Sequence, residues 1–353
     1  MMNAIIENQR VSDLTTMFRR APHQLNQMHE SDAEIIRLAN GEGPLIALTT
    51  DCLSEELATG LYREPSLMGW MAVMCSLSDL AAVGADPLGL VISETLPPTL
   101  DSTALRELQN GMQEACTAGG TWILGGDTNE GSELAISACA LGTLPAERYL
   151  TRIGCSPGDV LYASSSLGRG NAYAYQHFFD DTGISIRYRP RARVSEGRVL
   201  REFGSSCMDT SDGVLATLDQ LMRLNTVGFS LNAEWEALLD EEARRFFASR
   251  ALPFWLLLAG PHGEFELLFT IPRYREHAFT NAARQIGWIP QRLGTVIEEP
   301  SVVVPVYGES LPLASGWMRN LFADGTRSLE EKFEQLLQYD HELQEGVHCH
   351  VNA

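Results

Sequence analysis

The sequence predicts an α+β protein of two domains, in which strands alternate with helices. At 353 residues the chain is long enough to build two separate hydrophobic cores. The strand and helix order of the first half recurs in the second half. A segment rich in Pro and Gly, TRIGCSPGD at 151–159, lies between the halves. We therefore predict domains at residues 1–148 and 149–322, followed by a helical tail at 323–353.

Hydrophobic periodicity and capping residues predict the elements of the first half. Residues 1–30 are polar and read as a helix or an arm. Two strands are expected between Asp32 and Asp51. A helix at 68–83 ends at Gly84, and a second helix at 102–119 begins after Asp101 or Ser102 as its cap. The remaining strands are predicted at LGLVISETLP, WILGGD and LAISACALGTL.

The second half is predicted in the same way. It begins with the strand VLYASSS. Helices are expected at 170–179, 192–203 and 214–224, strands at 229–231, 265–271 and 302–306, and a final helix at 328–343.

Composition excludes several classes of function. A formal net charge of −20 argues against a nucleic-acid partner, which requires a basic face. Lys332 is the single lysine, so no P-loop lysine or Schiff-base lysine precedes the tail. An ATP-using enzyme of this composition would have to neutralise phosphate with metal ions and Arg side chains.

The cysteine pattern and the hydropathy of the chain indicate the compartment in which the protein is expected. The seven cysteines have no CxxC spacing, which argues against a zinc site and a disulfide framework and favours a reducing compartment. The N-terminal residues contain no apolar signal region, and no apolar run approaches 18 residues. We therefore expect a cytoplasmic protein without a membrane partner.

Carboxylates recur beside Gly, Ser or Thr near the ends of apolar runs. Four motifs carry them: SLSDLAAVGADP with Asp79, GGDTNEG with Asp127, MDTSDG with Asp209 and Asp212, and HGEFELLF with Glu264 and Glu266. Mg²⁺ prefers oxygen ligands and usually holds the phosphates of a substrate as well. The pattern indicates a site for metal ions and phosphate.

These motifs carry a resemblance to a known superfamily. They are TTD at 49–51, SLSDLAAVGADP at 76–87, ILGGDT at 123–128, TRIGCSPGD at 151–159, MDTSDG at 208–213 and ELLFTIP at 266–272. In this order and spacing they resemble the ATP-dependent enzymes that include aminoimidazole ribonucleotide synthetase, thiamine-monophosphate kinase, selenophosphate synthetase and the hydrogenase-maturation carbamoyl dehydratase. The likeness is closest to the thiamine-monophosphate kinases.

The resemblance implies a fold, two cofactors and a set of site residues. An N-terminal α/β domain would dimerise through its sheet, and a C-terminal α/β domain would close a site for ATP and Mg²⁺. The implied metal ligands are Asp32, Asp51, Asp79, Asp127, Asp209 and Asp212. The implied ATP-binding residues are Thr50, Asp51, Gly125, Gly126, Asp127, Arg152, Ser211 and Asp212. Asp127, Asp212 and Arg152 would be catalytic.

The sequence departs from the kinase pattern on the side where the acceptor is expected. Ala58 and Thr59 replace a His-Phe pair, and the other departures on this side are Ser31, Glu130, Thr217 and Glu264. Ser76 is a mild departure in the motif that contains Asp79. His262 also departs from the kinase pattern. We interpret it either as a general acid or base or as an exposed loop residue. Gly168 and Gly170 open a predicted helix and offer N–H groups to a phosphate.

The leading hypothesis is a Mg²⁺-dependent ATP phosphotransferase acting on a small, phosphorylated acceptor as a homodimer. One alternative is ATP-dependent activation of a carbonyl or amide oxygen, as in the cycloligase and dehydratase relatives. Another is a catalytically silent relative that binds nucleotide. Cys349 is either an acceptor group, as in the dehydratase relatives, or part of an unstructured tail.

Overall fold

Two β-sheets, one in each half of the chain, organise the structure. The computed structural model describes residues 4–15, 18–38, 43–180, 186–260 and 262–351, without the side chains of 347–351. The first sheet lies within residues 34–144 and the second within 160–313. The domain boundaries at 148 and 322 remain a prediction.

The first sheet has the strand order β1-β2-β5-β3-β4. Its strands are β1 (Glu34–Ile36), β2 (Leu45–Cys52), β3 (Asp86–Leu96), β4 (Ile123–Glu130) and β5 (Ala135–Leu144). Only the β3–β4 pair of this sheet is parallel among the described residues. Alternate residues of β5, such as Ile136 and Ala138, are fully buried, as expected for a strand with one face on the core.

Helices cover one face of this sheet. The helices of this half are α1 (Ile6–Thr15), α2 (Ser54–Ala58), α3 (Pro65–Ala82) and α4 (Ser102–Gly119). α3 and α4 approach closely at two glycines. A Cβ on Gly69 would lie 1.9 Å from the carbonyl oxygen of Leu108, and a Cβ on Gly111 would lie 2.0 Å from that of Ser66.

The second sheet has seven strands in the order β12-β11-β8-β10-β6-β9-β7. They are β6 (Val160–Ala163), β7 (Ser206–Asp209), β8 (Gly228–Leu231), β9 (Leu267–Ile271), β10 (Gln291–Ile297), β11 (Val302–Val306) and β12 (Glu309–Leu313). The helices are α5 (Arg169–Phe179), α6 (Val194–Phe203), α7 (Val214–Asn225), α8 (Glu241–Ser249), α9 (Glu276–Gln285), α10 (Ser315–Ala323) and α11 (Leu329–Val351). Short 3₁₀ helices occur at Trp235–Leu238, Phe254–Leu258 and Arg273–Arg275.

The two halves meet along α3, which contacts both α6 and β7. Ser78 of α3 donates a hydrogen bond of 2.7 Å to Asp209 at the end of β7. The Tyr62 hydroxyl and His262 Nε2 are 3.0 Å apart across the same boundary. The motif that contains Asp79 in the first half and the motif that contains Asp209 in the second half are therefore brought together.

The first and last described helices, α1 and α11, pack on the second half. The backbone N–H of Ile6 donates to Asn320 on α10. On α11, Asp340 accepts hydrogen bonds from Trp255 Nε1 at 2.6 Å and from the Tyr307 hydroxyl at 2.5 Å. α11 runs to Val351, beyond the predicted end at 343, and the side chain of Cys349 lies outside the described part of the chain.

None of the helices in the described ranges combines the length and the apolar character needed to cross a membrane.

Candidate active site

Three carboxylates converge where the two halves meet. Asp32 precedes β1, Asp79 lies near the C-terminal end of α3, and Asp209 ends β7. One carboxylate oxygen from each lies within 4.8 Å of the others. Asp79 and Asp209 were predicted from their motifs and Asp32 from the resemblance, and the structure brings all three together.

Hydroxyl groups fix the orientation of these carboxylates. Thr49 Oγ1 donates to Asp79 Oδ2 at 2.5 Å. Ser78 and Ser211 donate to the two oxygens of Asp209 at 2.7 and 2.9 Å. The small polar residues of the motifs therefore hold carboxylate oxygens in place. The predicted contact of Ser211 with ATP stays a prediction.

The donor set fits a hard divalent cation. It consists of carboxylate oxygens, which Mg²⁺ prefers. Asp32 Oδ2 is buried without a hydrogen-bond partner, so this oxygen has a lone pair available. Burial, with the charges of Asp51 and Asp209, raises the pKa of Asp79 well above its usual value. Burial and the charge of Asp32 raise the pKa of Asp209 to about 7. A bound cation would relieve the mutual repulsion of these groups.

Asp51 lies close to this cluster at the end of β2. Ser76 Oγ donates to Asp51 Oδ2 at 2.8 Å, so the serine that departs from the family pattern still contacts this carboxylate. Burial raises the pKa of Asp51, and the charge of Asp32 adds to the effect. The neighbouring Thr50 is exposed and directs its hydroxyl to the carbonyl oxygen of Ala138.

Arg152 contacts the carboxylate cluster through Asp32. Its guanidinium donates to Asp32 Oδ1 at 2.9 Å, while its Nε is buried without a partner. In this structure the side chain neutralises a carboxylate of the cluster. Its predicted contact with ATP phosphates stays a prediction.

Asp127 lies apart from the cluster. It falls inside β4, which continues to Glu130 beyond the strand end predicted at Asp127, and it is exposed with a hydrogen bond from Asn129. β2 and β4 are separated by β5 and β3, which places Asp51 and Asp127 about 14 Å apart across the sheet. One chain therefore does not bring Asp127 to the other predicted ligands.

The glycines before Asp127 have different surroundings. A Cβ on Gly126 would lie 2.0 Å from the carbonyl oxygen of Ile92, so this glycine permits the close pairing of β3 and β4. A Cβ on Gly125 would meet open space. Their predicted contact with ATP stays a prediction.

Comparison with known proteins assigns the family. Residues 30–144 match the model described as AIR synthase related protein, N-terminal domain. The thiamine-monophosphate kinase of Halobacterium salinarum is 32% identical over 239 residues, which are 66% of this chain and 78% of that protein. The chain belongs to the thiamine-monophosphate kinase family. The Escherichia coli (strain K12) enzyme is 29% identical over 255 residues, 70% of this chain and 77% of its own length.

A solved structure supports the fold of this kinase family member. The structure of AaThiL complexed with AMPPCP and TMP superposes with a TM-score of 0.70 and covers 88% of this chain and 99% of that chain. At 21% identity this likeness shows the fold alone. The predicted superfamily and the mixed α/β architecture are confirmed, whereas dimerisation through the sheet stays a prediction.

In this family member a further predicted carboxylate, Asp212, faces a large cavity. The cavity has a volume of about 520 Å³. The Asp212 side chain is exposed to the cavity, and desolvation by the protein around it raises its pKa to about 6. Gly213, not Asp212, caps α7, so Asp212 does not serve as a helix cap.

Sequence reasoning missed much of this cavity. Its walls include residues from both chain ends: Glu7, Arg10, Met318, Arg319, Phe322 and Lys332. α2 adds Glu55 and Glu56, next to Thr59 of the altered family segment. No motif marks these residues, because their proximity arises only when α1, α2, α10 and α11 come together around the cavity.

Two predicted roles on the acceptor side are corrected. The Gly168 N–H donates to Glu264 Oε2 at 3.1 Å, so the chain's own carboxylate occupies this group instead of a phosphate. His262 is only 4% exposed, and burial lowers its pKa to about 3, so the exposed-loop interpretation is wrong. The imidazole is neutral near pH 7 and lines the cavity.

Proposed function

We propose that the chain transfers the γ-phosphate of ATP to a small phosphorylated acceptor with the help of Mg²⁺. Thiamine monophosphate is the first candidate acceptor, because the relatives are named for it. The observation that carries the proposal is the convergence of Asp32, Asp79 and Asp209. Asp212, which follows Asp209 of this cluster by three residues, lines a cavity of small-molecule size, and the combination suits phosphoryl transfer by positioning and charge neutralisation.

The site would have two neighbouring regions, one that binds the metal and one that binds the acceptor. Asp32, Asp79 and Asp209 would hold Mg²⁺, with Asp51 close enough to add a further oxygen. When bound, the metal neutralises charge on the transferred phosphate. Asp212 would sit between the metal side and the cavity, where it positions the acceptor. No covalent intermediate with the protein is required.

The same proposal includes a homodimer formed through the first sheet. β4 lies at the sheet edge, and all of its residues are exposed. Trp122 and Leu124 are 66% and 60% exposed, and Val91 of β3 is 46% exposed. Exposed apolar side chains beside an unpaired strand edge are typical of a contact site for another chain. Asp127 lies on this same edge.

The test measures products as well as turnover. Protein, ATP and thiamine monophosphate are incubated with and without Mg²⁺, and ADP, inorganic phosphate and the phosphorylated acceptor are quantified. The proposal expects Mg²⁺-dependent ADP matched one-to-one by phosphorylated acceptor. Stoichiometric inorganic phosphate would instead favour activation of a carbonyl or amide oxygen. Nucleotide binding by calorimetry without ADP formation would favour a silent relative.

A further inference from the structure

The large cavity contains a cation that the proposed mechanism does not use. Lys332, the single lysine of the chain, lies in the first turns of α11 and lines the cavity wall. Lys332 as a whole residue is only 7% exposed. Lysine is rarely buried to this extent without an ionic partner.

The ammonium group has unused hydrogen-bonding capacity. Lys332 Nζ donates to the carbonyl oxygen of Phe322 at 2.9 Å, which accounts for one of its three N–H groups. Within the described ranges, no carboxylate oxygen lies within 4.0 Å of this nitrogen. The charges of Asp324 and Glu55 act on it only from a greater distance. An ammonium that lines a cavity with two of its N–H groups unused favours an anion as its next neighbour.

The position of Lys332 is fixed by the helix that carries it. Ser328 and Glu331 form reciprocal hydrogen bonds at the start of α11, the arrangement of a capping box. One turn after Lys332, Leu336 is 2% exposed within the core of the second half. The ammonium is thus held at the wall by packing and does not hang freely from the surface.

We propose that Lys332 determines acceptor specificity by binding an oxyanion of the acceptor, most simply its phosphate. This inference rests on the proposed function, since it assumes that the acceptor occupies the cavity. It assigns a selective contact to the C-terminal helix, which lies beyond the motifs at 49–272 that carry the family resemblance. The acceptor would therefore be recognised both at the carboxylate cluster and by the chain's own C-terminal segment.

A purely structural role is the competing explanation. The Phe322 carbonyl lies in the last turn of α10, and a cation near a helix C-terminus is favourable. A structural role requires only one N–H group of Lys332, and it predicts that small anions leave the reactivity of this lysine unchanged. The two explanations therefore differ in what they predict for ligand binding.

A single lysine allows a direct test on the unmodified protein. Trace acetylation with acetic anhydride reports the reactivity of Lys332, with the chain's α-amino group as internal reference, by peptide mass spectrometry. The probes are thiamine monophosphate, inorganic phosphate, thiamine and Mg²⁺-ADP. We expect thiamine monophosphate and phosphate to slow acetylation of Lys332 at least fivefold, and thiamine and Mg²⁺-ADP to leave it unchanged.

Variants add a kinetic readout that a structural role would not move. Lys332→Met should raise the KM for the acceptor about 10-fold or more, because a charge-assisted hydrogen bond is lost. The kcat and the KM for ATP should change by less than a factor of about 2. Lys332→Arg should recover most of the acceptor KM. Arg327→Gln is the matched control, since it removes an exposed cation that pairs with Asp324 outside the cavity wall.

Several outcomes would overturn the inference. Protection by Mg²⁺-ADP alone would assign Lys332 to the nucleotide, and protection by no probe would leave it a structural residue. An unchanged acceptor KM in Lys332→Met would also contradict it. If Lys332→Met does not fold, the labelling of the unmodified chain decides.

The result also separates this inference from the proposed function. Turnover of thiamine monophosphate without protection of Lys332 would contradict the inference about Lys332 and leave the proposed function supported. Protection by phosphate without turnover of thiamine monophosphate would overturn that choice of acceptor and support the lysine as an oxyanion site.

Discussion

At the scale of single residues, Asp79 offers the sharpest test of the carboxylate cluster. Asp79→Asn keeps a hydrogen-bond acceptor for Thr49 but removes the negative charge. We expect the kcat for Mg²⁺-dependent ADP formation to fall at least about 100-fold, near 2.7 kcal/mol of transition-state stabilisation. Steady-state kinetics measures the loss. Asp101→Asn, a matched change at an exposed helix cap, should leave activity unchanged.

Glu264 makes stability depend on pH. Burial, reinforced by Glu266, raises its pKa to about 8 in the folded chain. Between the unfolded value near 4.5 and about 8 the folded state binds more protons, so the free energy of unfolding falls as pH rises through this window. Glu264→Gln, which keeps an oxygen for the Gly168 N–H, should flatten this dependence by about 1 kcal/mol or more.

Denaturant unfolding at pH 5.5 and 8.5 measures the effect. Equal pH dependence in Glu264→Gln and the unmodified chain would contradict the assignment.

The sequence anticipated individual ligands better than their arrangement. Asp79 and Asp209 stand out because small polar residues flank them, and the flanking hydroxyls of Ser78 and Ser211 both donate to Asp209. Asp127 has the same local pattern, yet its position is set by strand order, which separates it from Asp51. Lys332 carries no local signal, since its burial depends on the packing of α10 and α11.

At the scale of elements, the α3–α4 contact depends on glycine. Gly69→Ala would place a Cβ 1.9 Å from the Leu108 carbonyl oxygen, so the helices must move apart. We expect the free energy of unfolding to drop by about 1–3 kcal/mol, the usual range for overpacking. Denaturant unfolding measures it. Gly325→Ala, where a Cβ meets open space, is the control, and equal stability of the two variants would contradict this account.

Elements with strong local signals were predicted and those without them were missed. α4 has the predicted bounds, and Asp101 accepts from the N–H groups of Thr103 and Ala104 as a cap. β7 was not predicted. It has only four residues, and because all of them are buried the sequence shows no alternation of apolar and polar residues there. α8, α9, α10, β10 and β12 were missed as well.

At the scale of the whole molecule, the exposed sheet edge predicts association. Trp122→Asp places a charge on the apolar surface beside β4 and should convert a dimer into a monomer. Light scattering coupled to size exclusion measures the mass. Tyr274→Asp, at a residue that is 86% exposed on the second half, is the matched control and should leave the mass unchanged. A monomeric unmodified chain would contradict the proposed homodimer.

The central claim is that residues from both halves form one metal site for phosphoryl transfer. Asp32 and Asp79 come from the first half and Asp209 from the second, so the site exists only when the halves are joined. The most direct measurement is a Mn²⁺ titration of the ATP-bound protein, followed by electron paramagnetic resonance, for the unmodified chain and Asp79→Asn. The account predicts that the variant binds Mn²⁺ at least about 10-fold more weakly. Equal Mn²⁺ affinity in the two proteins would contradict it.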